Sequence, residues 1–261
     1  MYLGLGVVVI VVLAIIGFLV IKNQKGASPT DSPTTKNRVR EEINVLPVPD
    51  RPVVTLDPTS DGRSVVLTIK QLKKEASTVE YELEYQAGTL LQGAFGQLNL
   101  SPLPAQTKIL LGSCSAGGAC TYHKEVKGGK LLTRYQGVNN YTLKSDWRYI
   151  ENTDKSSQFS SQDAKFQLSG QGLSSVSTAI IFNAPGYPDG LSSEPVADIY
   201  SLSSTSPVKG DLTVTIRLNT DAPAKLAYFD GQSWKYSSGS VTDKALTANA
   251  PAGQFYTAVA E

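Results

Sequence analysis

From Arg51 onward the chain alternates between apolar and polar residues. In "TVEYELEY", Val79, Tyr81, Leu83 and Tyr85 fall on one side of an extended chain and Glu80, Glu82 and Glu84 on the other. That is the pattern of a strand covered on one face and wet on the other. "RSVVLTIK" sets Val65, Leu67 and Ile69 against Val66, Thr68 and Lys70. "YTLKSDWRY" sets Tyr141, Leu143, Trp147 and Tyr149 against Lys144, Asp146 and Arg148. "RPVVTL", "FGQLNL", "TKILLG", "CTYHKEV" and "KLLTRYQG" read as further strands, with turns at Asp61-Gly62 and Gly128-Gly129. So many short strands predict an antiparallel β-sandwich over residues 51–152.

A Ser-rich break, "NTDKSSQFSSQD" at 152–163, separates this set from a second one: "AKFQLSG", "STAIIFNA", "VADIYSLS", "DLTVTIRL", "AKLAYF", "SWKYSSG" and "FYTAVA". Asp230-Gly231 is the strongest hairpin signal in the chain. A two-residue loop there sets Phe229 opposite Gln232 and Ala227 opposite Trp234, so that Ala227, Phe229 and Trp234 share a face. The expected fold class is all-β, with two antiparallel β-sandwich domains in tandem, the second over residues 156–261.

The pattern upstream is different. Tyr2 to Ile21 is an uninterrupted apolar run without a charge, long enough as a helix to cross about 30 Å of hydrocarbon. It is longer than the apolar region of a cleaved signal peptide, so residues 1–21 are expected to be a transmembrane signal-anchor with the lipid bilayer as partner of residues 2–21. Residues 22–50 are rich in Ser, Thr and Pro and read as a flexible linker, with one or two helical turns in "RVREEINV". Lys22 and Lys25 by themselves favour a cytoplasmic position for that side. The downstream composition and cysteine usage favour the other orientation: a single-pass cell-membrane protein with residues 22–261 extracytoplasmic.

Charge and chemistry add less. Twenty-four basic and 23 acidic residues leave a net charge of +1, so no global field draws nucleic acid. Both cysteines and the single histidine lie in "GSCSAGGACTYH". Pairing about Gly117 sets Cys114 opposite Cys120, within reach of a disulfide. A zinc site would need His123 as well, but an odd offset along a strand turns His123 to the other face, over Leu111. A structural Cys114–Cys120 disulfide is therefore expected, with no metal and no cofactor.

A Ser-His-Asp triad would have to use His123, and no G-x-S-x-G turn accompanies it. Glu80, Glu82 and Glu84 read as a solvated outer face, and Asp61, Asp189 and Asp230 as turn residues before glycine. Tyr135, Trp147, Tyr149 and Trp234 are expected in the core. Tyr187, in "APGYPDG", is expected on a loop tip between two prolines, a candidate ligand or partner contact.

"VADIYSLSS", "LTVTIRL", "AKLAYFDGQSWKY" and the closing "FYTAVAE" resemble the last strands of immunoglobulin-like or fibronectin-like modules in prokaryotic membrane-anchored surface proteins, over residues 190–261. The resemblance implies an extracellular structural or adhesive setting and brings no catalytic residue. The expected function is non-catalytic: structure, adhesion or recognition through β-sandwich modules, with a cell-surface protein or glycan as partner. A carbohydrate-binding or cell-wall accessory module and a pilin-like filament subunit are the alternatives.

Overall fold

The computed structural model describes residues 41–261. The expected anchor and most of the linker, residues 1–40, lie outside the described residues. In chain order the strands are β1 (Val53–Pro58), β2 (Ser64–Gln71), β3 (Thr78–Ala87), β4 (Leu90–Asn99), β5 (Ala105–Leu110), β6 (Gly112–Cys114), β7 (Cys120–Tyr122), β8 (Val126–Gln136), β9 (Tyr141–Glu151) and β10 (Gln158–Ser160). They continue with β11 (Phe166–Ser169), β12 (Thr178–Asn183), β13 (Tyr200–Ser204), β14 (Asp211–Arg217), β15 (Ala224–Phe229), β16 (Trp234–Ser237), β17 (Gly239–Thr242), β18 (Ala245–Pro251) and β19 (Phe255–Ala260). Two short 3-10 turns, Val48–Asp50 and Gln171–Ser175, are the helical elements among the described residues. No helix there is long and apolar enough to cross a membrane.

The strands form three layers around one large sheet. Its nine strands run β16-β15-β19-β13-β12-β9-β8-β3-β4, all antiparallel to their neighbours. A three-stranded sheet, β1-β2-β5, covers one face, and a five-stranded sheet, β10-β11-β14-β18-β17, covers part of the other. Each contact buries its own core. Val54, Leu67, Ile69, Leu83, Trp147, Ile180 and Phe182 belong to the first, and Phe166, Ile181, Tyr200, Val214, Leu226 and Tyr256 to the second.

Strand β12 explains how both cores share one sheet. Successive side chains point to opposite faces, and here both faces are buried: Ile180 and Phe182 enter the first core, Ala179 and Ile181 the second. This is why "STAIIFNA" reads as an unbroken apolar run while "TVEYELEY" alternates. Strands β3, β8 and β9 cover only the first core over most of their length.

The border expected at 152–156 therefore falls inside a continuous sheet, because β9 pairs with β12 from Trp147 to Glu151. The Ser-rich break is an ordered crossover between layers. Asn152 is buried, its Nδ2 donating to the carbonyls of Ser156, Leu173 and Val176 and its Oδ1 accepting from the Ser156 amide. The chain then enters the five-stranded sheet through β10.

Three local expectations are corrected. Residues 41–50, expected as the end of a flexible linker, lie against the part of β9 that β12 leaves open: Ile43 bridges Thr142, and the Asn44 amide donates to the Thr142 carbonyl. "RVREEINV" forms no helix over its described residues. Gly128-Gly129 is no turn but lies within β8, where a Cβ on Gly129 would sit 2.3 Å from the Glu84 carbonyl oxygen. The glycines let three backbones approach closely at a point where β8 also shifts register against β3.

The Asp230-Gly231 hairpin forms with a four-residue loop, so Phe229 lies opposite Trp234 and Ala227 opposite Tyr236. Asp230 Oδ1 accepts from the amides of Gln232 and Ser233, which closes the longer turn. The register moves by two residues, an even slip, so Ala227, Phe229 and Trp234 still share the face toward the first core.

Candidate functional site

Strands β6 and β7 form an exposed two-stranded hairpin, with Gly112 opposite Tyr122 and Cys114 opposite Cys120. The two cysteines are joined by a disulfide. Gly118 turns the tip at φ 82°, its amide donating to the Ser115 carbonyl. His123 follows β7 directly and turns its ring to the first core. Its amide donates to the Leu111 carbonyl, and Nδ1 lies 2.9 Å from the hydroxyl of buried Tyr85. Burial pushes the Tyr85 hydroxyl above its ordinary pKa. The histidine thus spends a ring nitrogen on a phenol at the margin of the first core, and among the described residues no carboxylate hydrogen-bonds to it.

Glu80, Glu82 and Glu84 share the outer face of β3, and the partners of Glu80 and Glu82 come from β8. Gln136 donates to Glu80 (2.8 Å), and Arg134 reaches Glu82 (3.4 Å) and, more closely, Glu41 (2.8 Å). The hydrogen bond from Arg134, with a second from Thr142, holds the Glu41 carboxyl below the usual glutamate range. The row works as an ion-pair lattice that also fastens the incoming chain. Among the described residues no cluster of three or more His, Cys, Asp or Glu side chains is arranged to hold a metal.

Tyr187 is half-buried and packs edge-on against Trp234 at 6.4 Å, with the Lys73 ammonium 5.9 Å from its ring centre. The loop is therefore not a free tip. Ala184, Pro185 and Gly186 are buried, and Gly186 lies so close to the Arg51 and Pro52 carbonyls that a Cβ has no room. Trp234 Nε1 donates to the Pro188 carbonyl, and Asp189 pairs with Lys73 and Gln71. Tyr135, Trp147, Tyr149 and Trp234 are all buried, as their strand parity requires. Among the described residues the exposed rings, Phe95, Tyr122 and Tyr236, lie on β4, β7 and β16, the first and last at opposite edges of the nine-stranded sheet.

A polar cleft of about 370 Å³ lies where the three-stranded sheet meets β13 and the β15–β16 hairpin. Thr55 and Asp57 from β1, Ser201 and Ser203 from β13, Lys70, Asp230 and Gln254 line it. Asp57 is held on both oxygens: Thr55 Oγ1 donates to Oδ2 (3.0 Å) and Ser203 Oγ to Oδ1 (2.6 Å). At the rim, the backbone hydrogen bonds from Ser233 and Gln232 keep the Asp230 carboxyl below its ordinary range. Hydroxyls, an amide, two carboxylates and one ammonium make this a surface for hydrogen-bonding a polar ligand. No motif in the sequence announces it, since its members are brought together from positions as far apart as 55 and 254.

Comparison with known protein families, with curated proteins and with solved structures finds no match for this chain.

Proposed function

We propose that this chain is a non-catalytic recognition and structural module, held by residues 2–21 at the outer surface of a membrane with residues 22–261 extracytoplasmic. The observation that carries the reading is the Cys114–Cys120 bond in an exposed hairpin. A solvent-exposed structural disulfide persists in oxidising compartments and is opened in a reducing cytosol. The all-β body, with two cores sharing one sheet, supports a display role, since binding loops are commonly carried on such scaffolds. The resemblance of residues 190–261 to modules of prokaryotic surface proteins supports the same setting.

Protease shaving of intact cells tests the topology: residues 41–261 are lost from outside, and their protection would overturn the reading. A non-reducing mass measurement across residues 107–126 adds a second check, with two free thiols counting against the oxidising compartment.

A glycan-binding reading is favoured by the hydroxyl-rich cleft around Asp57 and Ser203. Binding of cell-wall oligosaccharide that is lost in Asp57→Ala and kept in Tyr187→Ala would place recognition there. The reverse result would return it to the Tyr187 loop.

A further inference from the structure

Most sheet edges in this molecule are guarded. β1 carries Asp57, Pro58 and a register shift at Val53/Val54, and β5 carries Lys108. β10 has three residues, β17 four, and β16 four with Lys235 among them. Shortness, charge, proline and bulges are the devices that keep an edge from pairing with another strand. Strand β4 has none of them. It is ten residues long, pairs with β3 without a register break, and forms the end of the nine-stranded sheet. From Tyr85 to Thr107 the chain contains no charged residue. Leu90 is 64% exposed, Leu91 68% and Phe95 87%. Among the described residues no backbone hydrogen bond is made on the outer side of β4.

We propose that β4 is a self-association edge, which pairs antiparallel with β4 of a second copy of this chain across a two-fold axis at Ala94. Strand parity allows only registers in which paired residues point to the same face. Centred on Ala94, the pairing matches Leu90 with the second copy's Leu98 on the core side. On the outer face it matches Phe95 with the second copy's Gly93, and Leu91 with its Gln97. Ala94 meets its own copy on the axis and every other pair occurs twice, as an isologous interface requires. A ring over a glycine is an arrangement this hairpin already uses, because the Tyr81 ring lies across Gly96 on the neighbouring strand. The absence of charge points to a second copy as the occupant, since identical strands then meet without like charges opposed. A charged foreign peptide would find no counter-charge on β4. The Glu80–Glu82–Glu84 row is set back on β3, with Glu82 partnered by Arg134 and Glu80 by Gln136.

The test uses the full chain in detergent micelles, followed by sedimentation velocity at protein concentrations up to about 100 μM. The expected result is a dimer whose midpoint concentration rises at least tenfold in Phe95→Lys and in Leu91→Lys, both substitutions at exposed positions. An unchanged melting temperature and an intact Cys114–Cys120 bond identify a folded variant. Ala94→Cys yields an interchain disulfide under mild oxidation, whereas Gln97→Cys, which faces Leu91 rather than itself, does not. A monomer throughout this range, a dimer insensitive to both lysine substitutions, or equal cross-linking at positions 94 and 97 would overturn the proposal. Protection of β4 within a monomer, by residues 1–40 or by a co-purifying peptide, would overturn it as well.

Discussion

Two parts of the nine-stranded sheet are built on different rules. The flank β4-β3-β8-β9 buries one face, and its other face is a lattice of Glu80, Glu82, Arg134, Gln136 and Glu41. Strand β12 at its centre is packed on both faces, with neighbouring residues such as Ile180 and Ile181 entering different cores. A strand with one wet face tolerates change there, since ion pairs at the surface contribute little. A strand with two dry faces has no tolerant side chain, and it ties the two cores into one cooperative body.

The sharpest challenge to that comparison is to truncate adjacent residues of β12. Phe182→Ala removes a ring from the first core and should cost about 3–5 kcal/mol, and Ile181→Ala, on the second core, about 2–5 kcal/mol. Both should lower one shared transition in denaturant, followed by fluorescence and by circular dichroism. Two separable transitions, each sensitive to only one substitution, would break the shared-sheet account. In the flank, Gly129→Ala forces a Cβ against the Glu84 backbone and should cost about 3 kcal/mol, at the upper end of overpacking effects. A neutral result there would mean that β3 and β8 can separate without loss.

The β6–β7 hairpin stands apart from both regions and serves as a control. Replacing Cys114 and Cys120 by serine frees a short loop and should cost about 2 kcal/mol in the chain-entropy account. Proteolysis should then fall within residues 112–122 while both cores persist. On the wet face, Glu82→Gln should change stability by no more than about 0.5 kcal/mol, measured by urea midpoint.

The smallest effect concerns the incoming chain. Because Arg134 and Thr142 hold the Glu41 carboxyl below its ordinary range, its contacts contribute fully above the unfolded value, about 4.3. They are lost as pH falls through the lowered folded value. The protection factor of the Asn44 amide, its exchange rate corrected for the intrinsic dependence on pH, should therefore fall on acidification, and Arg134→Met should remove that dependence.

Much of this was legible in advance. Strand parity announced the inward rings of Trp147 and Tyr149 and the partnering of Cys114 with Cys120. The strand β18, "ALTANAP", was not legible, since alanine and asparagine carry weak strand signals. It takes its place because its alternate Leu246, Ala248 and Ala250 fit under the nine-stranded sheet. A glycine pair and a Ser-rich run both resemble turns locally. One lies within β8 and the other crosses between layers on a buried Asn152, because neighbours from distant sequence surround them. The cleft around Asp57 and Ser203 had no sequence signal at all.

By itself, then, the sequence determined that residues 51–261 fold as antiparallel strands, which side of each alternating strand faces inward, and which two cysteines meet. Those properties follow from the two-residue period of an extended chain and from short loops, and both act locally. Only the tertiary structure decided which strands became neighbours: that β9 pairs with β12 to join two expected domains into one sheet, that β12 is dry on both faces, and that β4 is left at an unguarded edge. Strand pairing is made through backbone groups that every residue carries alike, so the choice of partner rests on how the apolar faces pack once all of them are present.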